Sequence, residues 1–399
     1  MDSGVDQLRL FEGASDAGVL KEELPLWAKS RQGGAAAPTV VDLFCGCGGL
    51  SLGFQNAGYR VLAGVDNDAP SLATYAANLP GAKALNCNLF DPADIKRIVH
   101  SACEGRPPSH DDSVPLVDVV AAGPPCQGFS LTGPRNVDDA RNGLYLAVLE
   151  TVRRLRPQAF LIENVKGMKT LYGGAVKDEI VARFRRLGYH LPEPQILCAA
   201  DYGVPQLRER LFFVGVRKEL GAFEFPPPVC SPSRYVTCEE AIGDLPALQS
   251  ELGEEEARYT REAATPFQIE MRRGTFVLLN HVATRHTEHV RSIIRQVPEG
   301  QNYRALPKGV GESRRFNEAW TRYHSQKPSR TIDTGHRNHF HYRWDRVPTI
   351  RENARLQSFP DWFRFIGTRT QQNQQVGNAV PPMLTCHLAL QIRRHLVLG

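Results

Sequence analysis

Between residues 39 and 224 one unit recurs: a short apolar run, a glycine or polar turn, then a helix-length segment. Apolar runs cover 39–44, 60–65, 83–87, 117–122, 159–162 and 211–216. Helical segments cover 50–56, 69–78, 92–101, 144–155 and 176–187. Strands that alternate with helices of this length are joined by crossovers, which makes them parallel. The expected fold class is α/β, a doubly wound, mostly parallel sheet with ligands at the carboxyl ends of its strands. The alternation stops near Glu224, and Pro226-Pro227-Pro228 breaks the chain. Irregular, basic sequence follows, read as a second, smaller domain over 225–345. Helices are expected again at 350–357 and 379–395, so 346–399 is read as a return to the first domain. Residues 1–38 show no period, end in a glycine- and alanine-rich linker, and are expected to be peripheral or partly disordered.

Four short segments carry the chemistry. Gly123-Pro124-Pro125-Cys126-Gln127-Gly128-Phe129-Ser130 follows the apolar run at 117–122. A cysteine on a loop just past a strand end is reachable by substrate, and thiolates are strong nucleophiles. An isolated Pro-Cys pair is more often structural; the other three segments overturn that reading. Asp42-Leu43-Phe44-Cys45-Gly46-Cys47-Gly48-Gly49 turns from the first strand into a helix, where glycines let a ligand approach the backbone. Its spacing does not match the dinucleotide pattern G-x-G-x-x-G, which disfavours a nicotinamide cofactor. Asp66 ends the second strand, where a carboxylate can accept from ribose hydroxyls; the plainer reading is a helix cap. Glu163-Asn164-Val165 closes the strand at 159–162, and Gln206-Leu207-Arg208-Glu209-Arg210 precedes the strand at 211–216. Alternate residues of an extended chain share a face, so Arg208 and Arg210 can point at one target.

The nine cysteines are odd in number and form no CxxC pair, so neither a disulfide framework nor a zinc site is suggested. A reducing cytosol is the expected compartment, and no signal peptide or membrane-spanning run is read. Net charge is only +5, but residues 265–355 hold 17 Lys/Arg against 8 Asp/Glu, with seven of the twelve histidines. Such a region suits a polyanion or is merely a solvated basic face. His336, His339 and His341 lack an accompanying carboxylate or cysteine, so no metal is expected.

Taken together, and in this order, these segments make the chain similar to the DNA (cytosine-5)-methyltransferases of bacterial restriction–modification systems, from about Thr39 to about Leu396. The resemblance implies a Rossmann-like S-adenosylmethionine-dependent methyltransferase sheet, a smaller DNA-recognition domain, and a last helix that packs back on the catalytic domain. It implies S-adenosylmethionine as cofactor, S-adenosylhomocysteine as product, and cytosine in double-stranded DNA as substrate. Carried over, Phe44 stacks on adenine, and Gly46, Cys47 and Gly49 line the methionine portion. Asp66 holds the ribose, Asn67 packs near the adenine, and Leu89, Pro125, Leu144, Asn378 and Ala379 complete the pocket. The family places an aspartate at the end of the third strand; here Asn88 stands at that position, with Asp91 the other candidate. Cys126 becomes the nucleophile, Glu163 the partner of cytosine N3, and Arg208 and Arg210 the groups that position base and backbone. Gln127, Ser130, Arg135, Gln206, Arg337 and Arg343 are the expected DNA contacts, with Arg272, Arg273, Arg314 and Arg315 as further phosphate candidates. The target base must be flipped out of the duplex, and the loop at 127–142 is expected to close over it. A monomer is expected, with a restriction endonuclease as genetic partner. Two alternatives are a tRNA cytosine methyltransferase, whose Cys-Phe-Thr motif is missing here, and a catalytically silent DNA-binding module, which the intact Cys126, Glu163 and Arg208 set disfavours.

Overall fold

The apolar runs pair side by side into one sheet. The computed structural model describes residues 37–103, 116–125, 143–249, 251–310, 319–335 and 338–397. The first half contains β1 (Thr39–Leu43), α1 (Gly49–Asn56), β2 (Arg60–Asp66), α2 (Ala69–Asn78), β3 (Lys83–Asn86), α3 (Pro92–Cys103), β4 (Val119–Ala122), α4 (Gly143–Leu155), β5 (Ala159–Val165) and α5 (Ala175–Arg186). Then come β6 (Tyr189–His190), β7 (Gln195–Cys198), β8 (Gln206–Leu207) and β9 (Glu209–Arg217). The sheet runs β3-β2-β1-β4-β5-β9-β6, with β7 also on β9. Strands β1 to β5 are mutually parallel, and β9 is antiparallel to β5. Chain order reverses between β1 and β4, which is where such a sheet opens a ligand crevice.

Alternate strand residues feed the two faces. Val40, Val119, Ala121 and Leu161 join α1 in one core, while Val41, Val120, Ala122 and Phe160 join residues of α3, α4 and α5 in another. Both faces are therefore covered, as a parallel sheet requires.

The rest of the chain holds α6 (Cys238–Ile242), β10 (Glu256–Arg258), α7 (Pro266–Arg272), β11 (Val277–Leu279), α8 (Glu288–Gln296), β12 (Thr321–Arg322), β13 (Ser329–Arg330) and β14 (His339–Phe340), and ends in α9 (Ile350–Leu356), α10 (Arg369–Asn378) and α11 (Pro382–Arg393). The strands here pair only two by two, β10 with β11, β12 with β14 and β13 with β8. Cys238, Ala241, Phe267, Met271 and Leu278 share the α1-side core, whereas Ile294, Val297, Phe340 and Val347 form a small core apart from it. The helix expected over 379–395 begins later, at Pro382, because Ala379 is extended and Pro381 caps it. Helix α11 lies on α1. A Cβ added to Gly53 would meet Thr385 Cβ at 2.4 Å, Tyr59 Oη donates to the Ala389 carbonyl at 3.0 Å, and Arg393 donates to the Ala57 carbonyl.

Candidate active site

The turn after β1 is shaped for a close ligand. Phe44, Gly46 and Gly48 all have positive φ, at 57°, 52° and 104°. A Cβ added to Gly46 would meet nothing within 4 Å, so the backbone there borders open space. Asp42 anchors the turn from below. Its carboxyl is buried, accepts from Ser51 N at 3.0 Å and Ser51 Oγ at 2.7 Å, and is pushed up to about 7 chiefly by burial. It replaces the side-chain cap that Gly48 cannot provide. Tyr75 is a buried platform: its ring lies where a Cβ on Gly64 or Gly48 would fall, and its hydroxyl meets Ser51 Oγ at 2.9 Å. Neither Asp42 nor Tyr75 stands out in the sequence as a support for this turn.

Asp66, at the end of β2, accepts from Gly46 N at 2.8 Å, Asn67 N at 2.8 Å and Asp68 N at 2.9 Å. The helix cap is instead Asp68, which accepts from Ser71 N. Asp66 therefore ties the turn to the end of β2. Asn67 is exposed beside it, Leu89 is buried, and Leu144 is half-buried at the start of α4. Asn88 is exposed, and its side-chain oxygen accepts from Phe90 N at 3.1 Å. Asp91 accepts from Ala93 N at the start of α3. From the far end of the chain, Ala379 and Val380 close on Gly49, where an added Cβ would lie 3.3 Å from Ala379 Cβ and 2.3 Å from Val380 O. Cys47 Sγ donates to the Gln375 carbonyl at 3.5 Å. Asn378 is exposed on the same segment.

Gly123 joins this turn to the second cluster. A Cβ there would lie 3.8 Å from Phe44 O and 3.9 Å from Glu163 Oε2. Glu163 is buried, and Arg210 Nε lies 3.0 Å from its Oε1. Burial pushes the Glu163 carboxyl up from its ordinary value, and Arg210, then Arg208, pull it back. Asn164 donates to the Pro124 carbonyl at 3.2 Å, so the strand carrying Glu163 also fixes the root of the loop leading to Cys126. Pro125 is exposed at that root. Cys126, Gln127, Ser130, Arg135 and Arg337 lie outside the described residues.

A family model for C-5 cytosine-specific DNA methylases matches residues 38–394. The chain belongs to this family. A Type II methyltransferase of Desulfomicrobium norvegicum, M.DdeI, is 36% identical over 380 residues, covering 88% of each chain. M1.HphI of Haemophilus parahaemolyticus is 37% identical over 354 residues, covering 88% of this chain and 85% of the relative. A structure assigned as a DNA modification methyltransferase of an Escherichia coli prophage superposes with a TM-score of 0.71 at 28% identity, covering 90% of this chain and 99% of the other. Dnmt2 of Spodoptera frugiperda shares the fold at a TM-score of 0.56 and 16% identity. The chain is thus a C-5 cytosine-specific DNA methyltransferase with the Rossmann-like fold of the S-adenosylmethionine-dependent enzymes, and that family takes its methyl group from S-adenosylmethionine. No described helix is long and apolar enough to cross a membrane.

Within this methylase, the two arginines of the 206–210 segment part company. Arg210 faces Glu163, whereas Arg208 is buried and donates to the Ile332 carbonyl at 3.3 Å and the Gly377 carbonyl at 3.0 Å. The irregular link between β8 and β9 breaks the shared face that strict alternation predicts. Gln206 corrects the expectation of a DNA contact: it is 0% exposed, and its amide bonds inside the protein. The basic excess of 265–355 is also partly internal. Arg355 pairs with Asp361 and Asp244, Arg346 with Glu352, and Arg322 with Asp345. Arg272 pairs with Asp244 and Arg273 with Glu270. Arg314 and Arg315 are not among the described residues. Arg343 is exposed and lies over the Trp344 ring at 4.9 Å. Buried His341 accepts from Arg343 N and Trp344 N through Nδ1, and burial lowers it to about 3.

Proposed function

We propose that the β1–β4 crevice is the site of methyl transfer to a flipped-out cytosine, with Cys126 as nucleophile and Glu163 as acid. The observation that carries this is Gly123, where the cofactor turn, the Glu163 carboxylate and the root of the Cys126 loop meet within about one side chain's reach. Cytosine C5 is a poor nucleophile until the ring's aromaticity is broken. Thiolate addition to C6 does this, and it splits one difficult displacement into easier steps. Glu163 has the environment for a carboxyl that can donate a proton to N3: it is buried, and burial raises it against the pull of Arg210 and Arg208. Its proton neutralises the charge that addition at C6 pushes onto the ring. Arg210 orients the carboxyl and is the group free to meet the base O2 or the flanking phosphate.

The turn fits S-adenosylmethionine, since open space borders Gly46 and a Cβ there would enter it. Phe44, Gly46, Cys47, Gly49, Asp66, Asn67, Leu89, Leu144, Asn378 and Ala379 would hold it, with Asn88 at the adenine amino group. When bound, that cofactor supplies an electrophilic methyl group, and no metal is needed. Arg343, Arg337, Ser130, Gln127 and Arg135 are the proposed DNA contacts. We read 225–345 as the recognition region, and the biological role as protection of host DNA in the cytoplasm, by a monomer, against a partner endonuclease. A duplex with 5-fluorocytosine at the target, incubated with S-adenosylmethionine, should trap a covalent complex. Bisulfite sequencing of DNA from expressing cells identifies the target beforehand. Mass spectrometry should place the crosslink on Cys126; a crosslink elsewhere, or none, overturns the reading.

A further inference from the structure

Four buried segments meet behind the active site through side-chain amides. Gln206 accepts from Ile332 N at 3.1 Å and donates to the Leu356 carbonyl at 3.1 Å and to Gln357 Oε1. Gln357, also 0% exposed, donates onward to the Val376 carbonyl at 3.1 Å and the Ala379 carbonyl at 2.6 Å. Both ends of this path reach functional ground. Ala379 lies against Gly49 in the cofactor turn. Ile332 precedes Asp333, whose carboxylate accepts from Gly335 N at 2.9 Å and Asn338 Nδ2 at 2.6 Å and so ties this segment to Asn338, next to β14. Parallel β13–β8 pairing and the Arg208 bond to Ile332 O hold the same segment on the strand that continues to Arg210. A backbone Cβ at Gly377 would strike Asp333 O at 2.3 Å, so the two segments also touch directly.

We propose that Gln206 and Gln357 are positioning residues that couple the DNA-side segment 329–335 to the cofactor turn, so that cofactor and DNA each tighten the other's binding. The inference rests on the site reading above. Each amide is fully used and shielded from water, where an unmatched donor or acceptor is costly. A shift of Ile332 on DNA binding cannot leave Gln206 unpaired, so Gln357 and the Ala379 carbonyl must adjust with it. Coupling of this kind is reciprocal: the factor by which cofactor improves DNA affinity equals the factor by which DNA improves cofactor affinity.

The test measures DNA affinity by fluorescence anisotropy with and without saturating S-adenosylhomocysteine, on a duplex carrying the target found by bisulfite sequencing. The full-length protein should bind about tenfold more tightly with the cofactor product present. Gln206→Leu and Gln357→Leu should reduce that ratio to twofold or less. Gln206→Met serves where leucine packs badly, because it keeps the length and removes both polar ends. Gln206→Glu keeps the acceptor for Ile332 N and, protonated by burial, one of the two donors, and should retain more of the ratio than Gln206→Leu. A wild-type ratio near one, or an unchanged ratio in the leucine and methionine variants, overturns the proposal. Binding of neither ligand by the wild-type protein would instead overturn the site reading.

Discussion

Two opposing influences act on the Glu163 carboxyl. Burial raises it, and the Arg210 guanidinium 3.0 Å away opposes that rise. A raised carboxyl keeps its proton to higher pH, so the proton-donating form is lost as pH climbs through that raised value. Methyl transfer at limiting DNA should therefore fall on the alkaline side. Arg210→Ala removes the main charge that lowers Glu163, which moves this limb to higher pH even as the maximal rate drops. Glu163→Gln should remove the limb and slow single-turnover transfer by about 10²–10⁴-fold. Rate–pH profiles of the three proteins check both statements; a limb that stays in place in Arg210→Ala separates Glu163 from the chemistry. At this scale the glycine turn after β1 was legible because it is a local pattern, whereas the strand read as closing before Glu163 runs on to Val165. The different fates of Arg208 and Arg210 were not legible. They depend on what packs across from each residue, Ile332 and Gly377 in one case and Glu163 in the other, and those partners are distant in sequence.

Helix packing brings α1 and α11, far apart in sequence, into direct contact. Gly53 faces α11 so closely that an added Cβ would lie 2.4 Å from Thr385 Cβ and 2.7 Å from Pro382 O. Gly53→Ala improves local helix propensity, yet it must push α11 away. Overpacking of this kind costs about 1–3 kcal/mol, more than the roughly 1 kcal/mol that alanine gains over glycine in a helix. Denaturant unfolding should therefore show a net loss; a stabilised variant would mean the two helices slide apart freely. The parallel strands and most helices of the first half were readable from period alone, since both sheet faces are apolar. Helix α10 was not. Its sequence Arg369-Thr370-Gln371-Gln372-Asn373-Gln374-Gln375-Val376-Gly377-Asn378 has no apolar stripe, yet Gln372, Asn373, Gln375 and Gly377 are buried. Hydrogen bonds bury this helix: Gln375 Nε2 donates to the Pro70 and Ile366 carbonyls, and Thr74 donates to Gln375 Oε1. A reading based on hydrophobic period is blind to it. The short strands β6 and β7 were missed for a related reason, being too brief to show alternation.

Across the whole molecule, the cofactor turn is where residues some 330 positions apart close on each other, Gly49 on Ala379 and Val380 and Cys47 on Gln375. A ligand held by both sides adds a link between the chain's ends that the unfolded state lacks. It should stabilise the folded protein by RT ln(1 + [L]/Kd), or about 2.7 kcal/mol at a hundredfold excess over Kd. S-adenosylhomocysteine should therefore raise the thermal midpoint of the wild-type protein in a concentration-dependent way. Gly49→Ala tests whether the closure is what the ligand reads. Its Cβ would fall 2.3 Å from Val380 O, backbone that cannot swing aside as a side chain can. The segment carrying Asn378 and Ala379 must then retreat from the turn, and the ligand loses one wall. The expected result is a smaller ligand-induced shift in Gly49→Ala, beyond any fall in its ligand-free midpoint. The two effects separate because only the first depends on ligand concentration. An undiminished shift would mean that the turn alone holds the ligand, and that the C-terminal return serves stability without shaping the site.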